Sequence, residues 1–335
     1  MILNYKIIEP NQTINQILKT KLHISSRILY KLINKKNIYL NDKVCDTRNI
    51  ANIGDHLSVD LSYAEDNSNI VPNKMNLDII YEDEAILVLN KPSGISTHPS
   101  ILHFEDSLSN GVKYYFDSIG LHKKIRPVNR LDLHTSGLII FAKNEYIQEC
   151  LIKQMENNSF KKEYHAIVIG HLENKKGTID KPIARKQNSI IERCIDENGK
   201  RAVTHYEVIK EFENYSLVKC TLETGRTHQI RVHFASIGHP LLGDSLYGEK
   251  SDLLDGQALT CTKLSFIHPV SKDRVEFEIK YDARSGKWEV GISPLSSHLW
   301  LPTSYLKKLF FPSFIFNLLF YICNYCLFIQ PIFLF

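Results

Sequence analysis

Arg126-Pro-Val-Asn-Arg-Leu-Asp-Leu-His-Thr-Ser-Gly-Leu-Ile-Ile-Phe-Ala-Lys143 carries a group of polar side chains through a Thr-Ser-Gly turn into an apolar strand. In extended geometry Arg130 and Asp132 project to one side while Leu131 points to the other, so a guanidinium and a carboxylate can face one cleft. On spacing alone an ordinary surface salt bridge is the better reading of that pair. The surrounding region, residues 77 to about 290, holds strand-like runs at 85–89, 138–142, 163–169, 215–222 and 275–281, with fewer helical ones at 106–115 and 145–156. Strands outnumber helices without the one-to-one alternation of βαβ units, so the fold class reads as α+β on a mixed, largely antiparallel sheet.

A second constellation lies downstream, Glu223-Thr-Gly-Arg-Thr-His-Gln-Ile-Arg-Val-His-Phe-Ala-Ser-Ile-Gly238. Thr227 can cap a helix running to Ile237, with Gly238 as its left-handed terminator. Arg226 then stands at the helix mouth, where an anion meets both its fork and free backbone N–H groups; a solvated arginine reads equally well there. His228 and His233 are five apart rather than four, which rotates them away from each other, and no H-E-x-x-H pattern joins them. They read as structural or ligand-facing, and no metal site is expected.

Composition limits the rest. The chain has 335 residues, of which 43% are apolar and 23% charged, enough for roughly two globular domains. Lys+Arg 41 minus Asp+Glu 37 leaves only +4, too little to mark the whole chain as a nucleic-acid binder. Seven cysteines without regular spacing, and an N-terminus without the basic and apolar segments of a signal peptide, fit a reducing cytoplasm. Cys323 and Cys326 form a single C-x-x-C with no second pair nearby, which makes a poor zinc site.

The charge is local. Residues 17–36 contain six basic residues and no acid. Residues 24–36 read as a helix capped by Ser25 or Ser26, on which Arg27, Lys31 and Lys35 line one face at a spacing of four. Two short strands follow, in Asn37-Ile-Tyr-Leu-Asn-Asp-Lys43 and His56-Leu-Ser-Val-Asp-Leu61, the second entered through Gly54-Asp55. This succession resembles the small RNA-binding domain first known from ribosomal protein S-four, and that resemblance turns the basic face into an RNA-binding candidate. A solvated helix face is the competing reading. The implied organisation is an RNA-binding domain over 1–62, a polar linker over 63–76, a catalytic domain over 77–300 and an apolar tail over 301–335.

Taken together, the Arg-Leu-Asp-x-x-Thr-Ser-Gly core, the Thr-Gly-Arg-Thr-His-Gln-Ile-Arg-Val-His stretch, Tyr81-Glu-Asp-Glu-Ala-Ile-Leu-Val-Leu-Asn-Lys-Pro-Ser-Gly94 with His98-Pro99, Lys161-Lys-Glu-Tyr-His-Ala-Ile-Val-Ile-Gly170 and Gly199-Lys-Arg-Ala-Val-Thr-His-Tyr206 resemble the RluA-like family of pseudouridine synthases. The resemblance implies isomerisation of chosen uridines in ribosomal RNA or tRNA on a flipped-out nucleotide. It implies Asp132 as catalytic aspartate, Tyr164 as active-site tyrosine and Arg226 as the basic partner of the aspartate, with Arg130 and Thr135 beside the substrate. Neither cofactor nor metal is implied, RNA is the partner, and no obligatory protein partner is expected.

Two rivals stand beside this reading. A glycoside hydrolase also works at an anomeric carbon but needs a second carboxylate; a catalytically silent RNA-binding protein would not need Asp132, Tyr164 and Arg226 intact. Two departures from the family's pattern are visible. Asn129 replaces the usual histidine before Arg-Leu-Asp, with altered RNA contacts as the expected effect. The stretch 258–269 lacks the family's usual Leu-His-Ala opening. Residues 309–335 carry no charge, and the run between Pro312 and Pro331 is near the lower limit for a membrane span; a membrane anchor and an extension without a role read equally well.

Overall fold

A computed structural model of the chain describes residues 1–282 and 287–294. The first unit contains β1 (Ile2–Lys6), β2 (Gln12–Thr13), α1 (Ile14–Thr20), α2 (Ser26–Lys35), β3 (Ile38–Leu40), β4 (Lys43–Val44), β5 (Ile50–Ala51) and β6 (His56–Asp60). Both helices start where the sequence supplies a cap. Thr13 and Gln16 form a reciprocal capping box on α1, while the Ser25 side chain accepts from the Ile28 N–H at 3.4 Å on α2. Lys36 ends α2 in the left-handed conformation at φ 56°. Ile28, Leu29 and Leu32 are buried, each such side chain contributing about 1.5–3 kcal/mol when fully removed from water. Strands β1, β6, β3 and β4 close a four-stranded sheet in that order beside them.

Residues 62–76, polar and aperiodic in sequence, are a strap pinned along the second unit. The Glu65 carboxylate receives both Arg126 terminal nitrogens at 2.7 Å, the Lys123 ammonium donates to the Leu61 carbonyl at 2.7 Å and sits 4.5 Å over the Tyr63 ring, and the Asn110 amide donates to the Val71 carbonyl at 2.8 Å.

The second unit runs through β7 (Ile79–Glu82), β8 (Ile86–Lys91), α3 (Leu108–Ser118), β9 (Ser136–Ala142), α4 (Glu145–Glu156), β10 (Lys161–Ile169), β11 (Lys176–Asp180), β12 (Ile183–Arg185), β13 (Arg193–Ile195), β14 (Val203–Glu211), β15 (Tyr215–Leu222), α5 (Gln229–Ala235), β16 (Leu259–Ile267), β17 (Arg274–Asp282) and β18 (Lys287–Pro294). The large sheet has the order β11-β14-β15-β10-β16-β9-β8-β7, with β17 on the far half of β16 and β18 outside it. Every pairing in it is antiparallel except the short β9·β16 contact. The chain is therefore α+β on a mixed, largely antiparallel sheet. Strand β9 is buried along its whole length and reads as a continuous apolar run for that reason.

That parallel contact is two residues long, Thr260 opposite Ser136 and Cys261 opposite Gly137. Gly137 has φ +105°, and a Cβ there would lie 2.2 Å from the Cys261 carbonyl oxygen, so only glycine lets the two backbones meet. Among the described residues no helix is long and apolar enough to cross a membrane. The apolar run 309–335, with Cys323 and Cys326, lies outside the described residues.

Candidate active site

Asp132 leaves its strand entrance at the turn that leads into β9. The Thr135 N–H donates to the Asp132 carbonyl at 3.0 Å and closes the turn, and the Thr135 hydroxyl accepts from the Gln257 amide at 3.0 Å. From below, Lys91 ties the region together. Its ammonium is fully buried and donates to the carbonyls of Pro92, Ile95 and Leu133 at 2.9, 2.6 and 3.0 Å. Burial pushes its pKa down to about 7, partly opposed by the charge of Asp132. The Thr97 hydroxyl adds a clamp, donating to the Leu131 carbonyl at 2.9 Å and accepting from the Leu131 N–H at 3.3 Å.

The guanidinium facing the aspartate belongs to Arg231. Its Nη1 lies 3.4 Å from Asp132 Oδ2. Behind it, the buried Asp244 carboxylate takes Nε at 2.7 Å and Nη2 at 2.8 Å, and the Tyr247 ring covers it at 5.0 Å. A planar fork held on one edge by a carboxylate can present only its remaining nitrogen to the cleft. The expected partner, Arg226, also lines the cleft, but its Nε donates to the Arg201 carbonyl at 2.9 Å.

The helix reading explains the exchange. Thr227 does not cap a helix: His228 takes the left-handed conformation at φ 58° and α5 begins at Gln229. The Gln229 side chain holds the preceding turn, accepting from the Arg226 N–H at 3.0 Å and the Thr224 hydroxyl at 2.8 Å. Arg226 is thereby left on an exposed turn while Arg231 comes inward. Gly238, at φ +82°, follows the helix end.

His228 joins the site as well. Its Nε2 is 3.9 Å from Asp132 Oδ2 and its Nδ1 is 2.8 Å from the Tyr247 hydroxyl; burial lowers its pKa despite the nearby carboxylate. His233 is buried between the Thr204 hydroxyl at 2.9 Å and the Lys181 carbonyl at 3.0 Å, a structural position. Tyr164, on β10, faces Cys220 on one side and Cys261 on the other. Burial raises its pKa well above the ordinary tyrosine value, with the hydrogen-bonded Cys261 and the charge of Asp132 adding to the effect, so it remains a phenol. Arg130, Asp132, Thr135, Tyr164, Arg226, His228 and Arg231 line one cavity of about 60 Å³.

Asn129, expected to alter RNA contacts, is turned inward. Its side chain donates to the Leu138 carbonyl at 3.1 Å and accepts from the Ile140 N–H at 2.9 Å, so it fastens β9.

The basic face of α2, an RNA-binding candidate in sequence, meets acidic residues of α4 with part of its charge. Lys31 binds Glu145 at 2.7 and 2.9 Å, Arg27 binds Glu149 at 3.1 Å, and Lys35 lies 5.5 Å over the Tyr63 ring. Glu145 is 3% exposed at its side chain. Burial alone would raise its pKa, but bonds from Lys31 and Tyr63 hold it below the usual carboxylate range. Beside this seam opens a cavity of about 430 Å³ lined by Arg27, Lys31, His98, Lys124, Ile125, Arg126, Pro127, Glu145 and Gln148.

Comparison with known proteins agrees with this architecture. The family described as RNA pseudouridylate synthase matches residues 85–236. An uncharacterized RNA pseudouridine synthase of Bacillus subtilis, YhcT, is 40% identical over 277 residues, covering 82% of this chain and 91% of that protein. Ribosomal large subunit pseudouridine synthase D of Escherichia coli strain K12 is 34% identical over 266 residues, covering 75% and 81%. The solved structure of human RNA pseudouridylate synthase domain containing 1 superposes with a TM-score of 0.52 at 27% identity, covering 67% of this chain and 91% of that one. Fold and matches define the class, an isomerase that makes pseudouridine in RNA. Within that class the chain belongs to the RluA-like family of RNA pseudouridine synthases.

Proposed function

We propose that Asp132 is the catalytic carboxylate, that Arg231 is its basic partner in place of Arg226, and that the substrate is a uridine flipped out of folded ribosomal RNA or tRNA, with large-subunit RNA favoured by the relatives named for it. The observation that carries this is the chain Asp244–Arg231–Asp132, a buried carboxylate aiming a guanidinium at a second carboxylate that stays open to the cavity. The reaction breaks the bond between N1 of the base and C1′ of ribose, rotates the base and joins C5 to C1′, releasing the C5 proton. Asp132 supplies either attack on C1′ or removal of the C2′ proton, and both require it ionised. Tyr164, kept as a phenol, offers a ring to stack on the base and an O–H to donate.

Arg130 and Arg226, both exposed at the cavity rim, are placed to meet phosphates of the flipped nucleotide. The first unit acts as an S-four-type RNA-binding module, its Arg27 and Lys31 lining the basic interdomain cavity while Lys35 stands behind them. A hydrolytic glycosidase needs a second available carboxylate, and Asp244 is buried and fully engaged by Arg231. The setting is the cytoplasm, where the cysteine usage fits.

The test is tritium release from uridine labelled at C5, in total RNA from a strain lacking the gene. Asp132→Asn is expected to bind RNA and release no label above background. Release at the wild-type rate by a folded, RNA-bound Asp132→Asn protein removes the assignment.

A further inference from the structure

Between Thr97 and α3 the chain turns back on itself. The Ser100 N–H donates to the His103 carbonyl at 3.1 Å and the His103 N–H returns to the Ser100 carbonyl at 3.2 Å, closing a two-residue tip around Ile101 and Leu102. Turn centres ordinarily hold Gly, Asn, Asp or Pro, which satisfy backbone geometry and water together. Here two branched hydrocarbons occupy them at 99% and 86% exposure, with Phe104 beside them at 59%. Folding gains almost nothing from Ile101 and Leu102, and water is a poor solvent for all three side chains. The tip is nevertheless firmly built. His103 Nδ1 lies 3.0 Å from Asp106 Oδ2, His98 Nδ1 is 3.1 Å from the Ser109 hydroxyl, and the stem at Thr97 is bonded to the Leu131 peptide, one residue from Asp132.

Its surroundings say what covers it. On one flank lies the segment before β9 that carries Arg130 and Asp132, bonded to Thr97 through Leu131. On the other, His98 lines the interdomain cavity together with Arg27, Lys31 and Lys124. A partner reaching all three must bring negative charge along one edge and flat apolar faces at the tip, adjacent to the site that processes a uridine. RNA with unstacked bases has that chemistry. We infer that Ile101, Leu102 and Phe104 form an apolar wedge that packs against the bases flanking the target uridine and holds the stack open while the uridine occupies the cavity. This rests on the reading of Asp132 and its cavity as the uridine site. An anionic membrane is the competing partner of similar chemistry, and its surface would not require the tip to be bonded to the segment that carries Asp132.

The experiment uses the full-length chain with Ile101→Ser/Leu102→Ser, assayed by tritium release from the labelled total RNA just described. Melting temperature should stay at the wild-type value, because both side chains already stand in water. Turnover on folded RNA should fall tenfold or more in kcat/KM, and the deficit should shrink on the same RNA cut to short fragments without stable structure. A Leu102→Trp variant gives a readout independent of activity. Its emission, taken as the difference from the wild-type chain with Trp288 and Trp300, should be quenched by the RNA and unmoved by phosphatidylglycerol vesicles. Wild-type turnover by the double variant on folded RNA, or Leu102→Trp emission that answers to vesicles and not to RNA, overturns the wedge. Absence of turnover by the wild-type chain sinks the uridine-site reading instead, and Trp quenching by RNA then still decides whether the tip contacts bases.

Discussion

Arg231→Met removes the guanidinium while keeping most of the side-chain volume, and two separate losses follow from its geometry. The first is stability. Asp244 is left buried with its charge unpaired, which costs about 3–5 kcal/mol. The second is chemistry. A unit charge pair at the observed 3.4 Å is worth about 5 kcal/mol at an effective dielectric near 20. Asp132 keeps part of its surface in water, so only a fraction of that survives screening, and loss of a charge-assisted contact at the site should lower kcat/KM by about ten- to a hundredfold. The two losses separate in the double variant Arg231→Met/Asp244→Asn, which removes the stranded charge. It should recover much of the melting temperature and none of the activity. Arg226→Ala should leave stability within about 0.5 kcal/mol, as exposed positions do, and should raise KM more than it lowers kcat. The assays are thermal denaturation and tritium release, the latter run well below the lowest midpoint. Recovery of activity in the double variant would mean that Arg231 serves only Asp244. A kcat loss in Arg226→Ala equal to that of Arg231→Met would return the role of basic partner to Arg226.

Two further outcomes test the frame around the site. Gly137→Ala drives a methyl into the Cys261 carbonyl at a positive φ and should cost roughly 3 kcal/mol or more; a melting curve within 0.5 kcal/mol of wild type would show that the β9·β16 seam is not as tight as described. Glu145, held below its ordinary value of 4.5 by Lys31 and Tyr63, contributes docking of the first unit that is complete above that pH and lost as pH falls through its lower folded value. Cleavage by an acid protease within residues 62–76 should therefore be constant from pH 7 to pH 5 and rise below about 4.5 once corrected for the enzyme's own profile; no change down to pH 3 would remove Glu145 as the latch.

Much of this was legible in the chain, and what was not has identifiable causes. Strand β9 and helix α4 announce themselves through an unbroken apolar run and an Asn144 cap, both local signals. Helix α1 carried a readable Thr13-x-x-Gln16 box but is only seven residues long, too short for periodicity to show. Arg231 could not be separated from Arg226 because both sit in one motif. The choice turns on His228 adopting a left-handed backbone, a conformation uncommon for any residue but Gly, which moves the cap one residue on from the Thr227 that the pattern suggests. Asn129 reads as bearing on RNA contacts because it adjoins Arg130, whereas its amide matches the backbone of β9 two ways. The partners of Arg27 and Lys31 lie more than a hundred residues downstream. A basic helix face shows its charge in sequence but not the acid it meets.

The seam at Gly137 and Cys261 also sets an order of events in the life of the chain. The aspartate and the strand that closes its pocket are about 130 residues apart, so the pocket depends on one of the longest loop closures in the molecule, and contacts of that separation form slowly. A chain still being synthesised cannot complete its pocket before β16 has left the ribosome, whatever the state of its first unit. Activity can therefore appear only late in synthesis, after β16 has joined the sheet beside β9.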